Sequence, residues 1–213
     1  MIPQEEVAQK LLQIKAIKLS PQNPFTWASG IQSPIYCDNR IVLSFPEIRS
    51  WFVTQMVSQI NAFSTFEVIA GVATAGIPWG ALVADRLNLP FIYVRSKAKG
   101  HGRQNLIEGS FHSGQKVLVV EDLISTGGSS LKAVEALIEA NLHVVGVIAN
   151  FQYGLEESRI RFEKANIPLV TLSNYETLLH VARDSGYIDS ADLPTLREWS
   201  VAPNDWKPNV SRS

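Results

Sequence analysis

Val117-Leu118-Val119-Val120-Glu121-Asp122-Leu123-Ile124-Ser125-Thr126-Gly127-Gly128-Ser129-Ser130 decides how this chain is read. Four apolar residues run straight into two carboxylates, small residues follow, and a helical pattern starts near Leu131. An apolar run of this kind reads as a strand buried on both faces, hence one of a parallel sheet. The small residues read as a tight turn with free backbone N–H groups, and such a turn opening a helix suits a phosphate. Glu121 and Asp122 would repel a bare phosphate, so the ligand should also carry hydroxyls or a divalent cation. A sugar phosphate meets that condition better than a plain nucleotide. The turn is not a Walker A loop: the nearest match, Gly109-Ser-Phe-His-Ser-Gly114-Gln115-Lys116, has Gln115 where lysine belongs and follows no strand. No Gly-x-Gly-x-x-Gly follows a strand either.

On either side of this stretch, strand and helix patterns alternate. Strands are expected over 68–72, 91–95, 116–121, 143–150 and 169–172, with helices over 77–87, 129–140 and 156–165. Upstream, 5–17 has helical apolar spacing at Val7, Leu11, Leu12 and Ile14, and 45–60 again looks helical. The segment 23–40 is irregular, punctuated by Pro24, Gly30 and Pro34, and the tail 199–213 is polar and proline-punctuated. The fold class is therefore α/β, a mostly parallel sheet flanked by helices, with the strand C-termini meeting at one edge where ligands bind.

The chain has 213 residues, 46% of them hydrophobic, enough for a substantial core. A net charge of -1 argues against a surface devoted to nucleic acid, so no nucleic-acid partner is expected. Cys37 is the only cysteine, which excludes an intramolecular disulfide and points to a reducing compartment. No apolar stretch reaches membrane-spanning length and the N-terminus lacks a signal-peptide pattern, so a cytoplasmic protein without membrane contact is expected. His112, His143 and His180 lack metal-ligand spacing, Cys37 has no evident activating base, and the five tryptophans read as core or subunit-interface residues.

Two further segments carry chemistry. In Arg95-Ser96-Lys97-Ala98-Lys99-Gly100-His101-Gly102-Arg103, four cations and a histidine precede the next acid, Glu108. A loop of this composition is commonly no more than a solvated surface. Here it follows a strand whose C-terminal end should lie beside the turn, and clustered cations on a flexible loop suit a polyphosphate that is covered and then released. The other segment is Phe25-Thr26-Trp27-Ala28-Ser29-Gly30-Ile31-Gln32-Ser33-Pro34-Ile35-Tyr36-Cys37-Asp38-Asn39-Arg40, which taken alone is a turn-rich connector.

Together these segments resemble the type I phosphoribosyltransferases. The strand, acid pair and Ser-Thr-Gly-Gly turn are similar to the family's signature for phosphoribosyl diphosphate (PRPP). Arg95, Lys99 and His101 match the Arg-x-x-x-Lys-x-His-Gly catalytic loop of the orotate phosphoribosyltransferases, and Phe-Thr-x-x-Ser-Gly-x-x-Ser-Pro matches their N-terminal lobe. The resemblance spans about 25–153. It implies that Arg95, Lys99, His101, Glu121, Asp122, Leu123, Ile124, Ser125, Thr126, Gly127, Gly128 and Ser129 bind PRPP, that Lys99, His101 and Asp122 are catalytic, and that Ser125 and Tyr36 hold orotate. It also implies Mg2+ carried mainly by PRPP, and a homodimer whose loop reaches the partner's site. Residues 1–45 would form a hood over the base, 46–185 the PRPP-binding core, and 186–213 a C-terminal segment. The chain departs from the pattern at Ser96, where the family often has lysine with Lys97 one place later, and at Ala28 and Ala75, lysine in some relatives. Tyr153 falls where some relatives have an arginine for orotate. A transferase acting on another base, or a PRPP-sensing regulator without catalysis, are the alternatives. The hood argues against the first, and the loop cations with the lack of a DNA-binding module against the second.

Overall fold

In a computed structural model of the chain, which describes residues 4–26, 30, 32–97 and 106–208, the elements run α1 (Gln4–Gln13), β1 (Ile17–Leu19), β2 (Phe25–Thr26), β3 (Gln32–Ser33), β4 (Ile35–Cys37), α2 (Pro46–Ser58), β5 (Val68–Val72), α3 (Gly76–Leu87), β6 (Phe91–Val94), β7 (Ile107–Glu108), β8 (Lys116–Ile124), α4 (Gly128–Glu139), β9 (His143–Gln152), α5 (Glu156–Ala165), β10 (Leu169–Asn174), α6 (Tyr175–Asp184) and α7 (Leu193–Val201). The main sheet has the order β10-β9-β8-β5-β6-β7. Its first five members are parallel, and β7 closes the edge antiparallel to β6.

Residue types explain the layering. All five residues of β5 are buried, as expected of a strand covered on both faces. Along β8 the side chains alternate between two apolar layers. Leu118 and Val120 meet α1, α2, α3, α6 and α7 through residues such as Leu11, Phe52, Trp79, Leu179 and Trp199. Val117 and Val119 meet Ala133, Val134 and Leu137 of α4 and Phe162 of α5. Local chemistry sets the helix ends. Pro46 opens α2, where its fixed φ suits the first turn. Asn88 and Asn166 close α3 and α5 in the left-handed region, at φ 54° and 53°. The Asn174 side chain accepts from Thr177 N at 3.0 Å and starts α6.

Several expectations change. β8 does not stop at Glu121 but continues through Asp122, Leu123 and Ile124, because β9 pairs with it that far (Glu121↔Ala149, Leu123↔Phe151, Ile124↔Gln152). The described part of the connector over 23–40 carries β2, β3 and β4, with β2 paired antiparallel to β3 and β4 antiparallel to the preceding β1. The helix expected over 5–17 ends at Gln13; Lys15 turns at φ 59° and the chain leaves as β1. β7, α6 and α7 were not expected. The start of the tail is packed rather than loose: Trp199 and Trp206 are buried, and Trp206 Nε1 donates to the carbonyl of Thr195 at 2.9 Å. Among the described residues no helix is long and apolar enough to cross a membrane.

Candidate active site

The turn between β8 and α4 is Ser125-Thr126-Gly127. Gly127 is the residue before the helix and has φ +78°. A Cβ there would also lie 2.8 Å from the Phe162 ring, so both backbone and packing require glycine. No side chain caps α4. Its first amides, from Gly128 onward, therefore keep free donors at the positive end of the helix, as an anion site needs. Ser125, Thr126 and Gly128 are half-buried and Ser129 is exposed. Leu123 and Ile124 are strand residues whose side chains pack into the core, and the Ile124 carbonyl accepts from Tyr153 N, so only main chain is left to meet a ligand.

The two carboxylates are not equivalent. Glu121 reaches Ser130 of α4 and Asp122 lies within range of the Arg40 charge, yet the two carboxyl groups are close enough to hydrogen-bond each other. Glu121 is 4% exposed; its Oε2 accepts from Ser130 Oγ at 3.2 Å and its Oε1 from Asp122 N at 2.9 Å. Burial first, and then the negative charge of Asp122, lift its pKa well above the carboxylate range. Asp122 is only partly buried. Burial raises its pKa too, but hydrogen bonds and the Arg40 charge work against that rise. Of the pair, Glu121 is thus the member whose carboxyl is lifted further, because it is the more deeply buried.

Asn39 fastens the N-terminal segment to this edge. It is 1% exposed, and its Nδ2 donates to the main-chain carbonyl of Asp122 at 2.7 Å. Beside it, Arg40 forms a two-pronged pair with Asp38, at 2.6 and 2.9 Å, which lowers the Asp38 pKa. Tyr36 is 39% exposed on β4 and lies against Phe25, with ring centroids 5.7 Å apart. The Cys37 thiol is pushed well above its ordinary pKa by burial and by the charges of Asp122 and Asp38, in keeping with a packing role. Tyr153 is buried against Phe151 and Trp199, at 6.2 and 5.3 Å between centroids, so its side chain is part of the core.

On the other flank, β5 turns sharply into α3. A Cβ on Gly71 would lie 2.8 Å from the Gly76 carbonyl, and one on Gly76 2.6 Å from the Val120 carbonyl. The glycines let this loop, with its cis Ala73–Thr74 peptide, sit against the end of β8. A cavity of about 710 Å³ is lined by Ala73, Arg95, Ser96, Thr126, Gly128 and Ser129, which brings the turn, this loop and the start of the cationic segment together. The base of that segment is pinned: Arg95 N donates to Leu106 O at 2.8 Å and Arg95 Nη1 meets Glu108 Oε1 at 3.2 Å. Lys99 and His101, with Ala28, lie outside the described residues. Among the described residues no three His, Cys, Asp or Glu side chains gather so as to hold a metal ion.

Asn39, Ser130 and Glu108 join the site without having been expected. Only Ser130 had a local signal, as a hydroxyl in the first turn of a helix nine residues after an acid.

A family model of the phosphoribosyl transferase domain matches residues 52–176. An orotate phosphoribosyltransferase of Listeria innocua is 53% identical over 204 residues, 95% of this chain and 98% of the relative. One from Bacteroides fragilis is 56% identical over 203 residues, 94% of this chain and 95% of the relative. The crystal structure of orotate phosphoribosyltransferase from Aeropyrum pernix has a TM-score of 0.74 at 28% identity, covering 86% of this chain and 99% of that one. Identity above one half along nearly the whole of both chains leaves no room for a different lineage, and this chain belongs to the orotate phosphoribosyltransferases, of the type I phosphoribosyltransferase family.

Proposed function

We propose that the chain transfers the ribosyl 5-phosphate group of PRPP to orotate, giving orotidine 5-phosphate and pyrophosphate, a step of pyrimidine (UMP) biosynthesis. The observation that carries this is the uncapped start of α4 beside a buried acid pair, under a segment fastened to the same edge by Asn39. In this reading Ser125, Thr126, Gly127, Gly128 and Ser129 hold the 5-phosphate. Asp122 and Glu121 receive the ribose hydroxyls, and Ser125 and Tyr36 face the base. Residues 1–45 act as the hood, 46–185 as the donor-binding core and 186–213 as the closing segment. The protein works in the cytoplasm as a homodimer with shared active sites.

The bond from ribose C1 to pyrophosphate breaks as the bond from C1 to orotate nitrogen forms. Positive charge develops on the sugar and negative charge on the leaving oxygen. Asp122 faces the sugar and stabilises its charge. Arg95, Lys99 and His101 stabilise the departing pyrophosphate, and removing one such contact raises the barrier by about 3–4 kcal/mol. Closing the loop excludes the water that would hydrolyse PRPP. For a divalent cation the donor set is small, two adjacent carboxyls whose pKa values burial raises, Glu121 most. That suits an ion brought by the polyphosphate rather than a resident metal. Mg2+, held mainly by PRPP oxygens with Asp122 at hand, would offset the charge of the leaving group.

Orotate consumption, followed with PRPP and Mg2+ and with a panel of other bases, tests the reading. Orotate should be consumed in preference to purines, and excess chelator should abolish the rate. Preference for a purine, or no consumption of any base, would overturn the assignment.

A further inference from the structure

We propose that Arg161 of α5 is a side-chain ligand of the donor's 5-phosphate, added to the amides of the turn. The inference rests on reading that turn as the phosphate cradle. Arg161 Nη1 lies 3.0 Å from the position a Cβ on Gly128 would take, so its guanidinium sits against the first residue of α4. The absence of a side chain at 128 makes that approach possible. Arg161 also lines the 710 Å³ cavity with Thr126, Gly128 and Ser129.

The fork is held in place from behind. Arg161 Nη2 pairs with Glu157 Oε1 at 2.5 Å, one helical turn earlier. The nitrogen nearest Gly128 is therefore not the one that Glu157 holds. Arg159, its neighbour in sequence, is engaged by Glu156 and Glu163 together and belongs to the outer face of α5. The Arg161 side chain is 45% exposed, so it can bend over an incoming anion at little desolvation cost. A helix N-terminus supplies neutral donors and only a partial charge. A 5-phosphate is a dianion, and a guanidinium beside it adds charge-assisted hydrogen bonds in a planar geometry that suits phosphate oxygens.

The test uses the full chain with Mg2+ and compares two probes, ribose 5-phosphate and pyrophosphate, by calorimetric titration. Arg161→Gln should weaken ribose 5-phosphate about ten- to a hundredfold, the range of a hydrogen bond to a charged group, and raise KM for PRPP in parallel. Pyrophosphate affinity, KM for orotate and melting temperature should stay at their wild-type values, and Arg161→Lys should recover part of the loss. Unchanged ribose 5-phosphate binding in Arg161→Gln would overturn the role of Arg161 while leaving the cradle standing. An equal loss for pyrophosphate, or a lowered melting temperature, would mark a structural effect and overturn it as well. Failure of the wild-type chain to bind ribose 5-phosphate would instead remove the cradle reading itself.

Discussion

Replacing Asn39 tests the join between the N-terminal segment and the central strand. Its Nδ2 donates to the Asp122 carbonyl at 2.7 Å, across 83 residues of sequence, and its Oδ1 receives the Cys37 thiol at 3.4 Å. The residue is 1% exposed, so water cannot replace the lost donor. Asn39→Ala leaves a buried carbonyl without its partner, at a cost of roughly 1–3 kcal/mol. For a chain of this size about 2–4 °C accompanies each kcal/mol. Taking a middle value of about 2 kcal/mol, the melting temperature should fall by roughly 4–8 °C. On the proposed mechanism catalysis should suffer more than stability, since the lost bond sets the main-chain position of Asp122, the carboxylate proposed to face the sugar; kcat should fall at saturating PRPP. Asn39→Asp supplies a control of the same size. Ionised, it turns an acceptor toward the Asp122 carbonyl; protonated, it can donate again. Its folded-state pKa is therefore raised, and its stability should recover as pH falls through that value. The measurements are calorimetric melts and initial rates for the three proteins between pH 5 and 8. An Asn39→Ala protein that melts within about 1 °C of wild type with unchanged kcat would refute the join, whatever the Asp variant does.

Three shorter predictions follow from the same site. Glu121 has a raised folded-state pKa, so the native chain binds more protons than the unfolded chain between the ordinary carboxylate value and the raised one, and its contribution to stability is lost as pH rises through that window; Glu121→Gln should flatten this part of the stability profile and gain on wild type toward alkaline pH, and parallel melting curves across pH 4–9 would contradict a protonated Glu121. Gly76→Ala places a methyl 2.6 Å from the Val120 carbonyl and 3.3 Å from Glu121 Cα, both backbone, so α3 must back away; overpacking of this kind costs about 1–3 kcal/mol, and a calorimetric melt at the wild-type temperature would show that the loop has slack. Lys99→Ala should lower kcat by on the order of 10²–10³ with an unchanged melting temperature, and wild-type turnover in the folded variant would take the lysine out of the mechanism.

The middle of the fold was legible because β5, β8 and β9 are apolar runs that a buried parallel strand requires, and because glycine, serine and threonine mark the turn into α4 without long-range help. α6 was equally open to inspection: Tyr175, Leu178, Leu179 and Ala182 recur at helical spacing behind the Asn174 cap, although no helix was read there. The Asn39 contact had no such signal, since nothing in local period or composition ties residue 39 to residue 122. β7 is two residues long and depends on β6 for its existence, which puts it below any periodicity.

The misplaced end of β8 is the most instructive difference, because it changes the chemistry. Two adjacent charges ordinarily end a buried strand, and a turn starting at Glu121 would have left both carboxylates equally solvated. Pairing with β9 carries the strand three residues past Glu121 instead. The two carboxylates then sit on ordered strand with different surroundings, close enough to hydrogen-bond each other. One is enclosed with Ser130 and has its pKa lifted further; the other is less buried, and the Arg40 charge opposes its rise. An acid pair read from sequence as a doubled negative charge thus becomes a pair in which burial and mutual repulsion favour a proton, most of all on Glu121. That lowers the repulsion a phosphate would meet at the adjacent turn, as the proposed donor site requires.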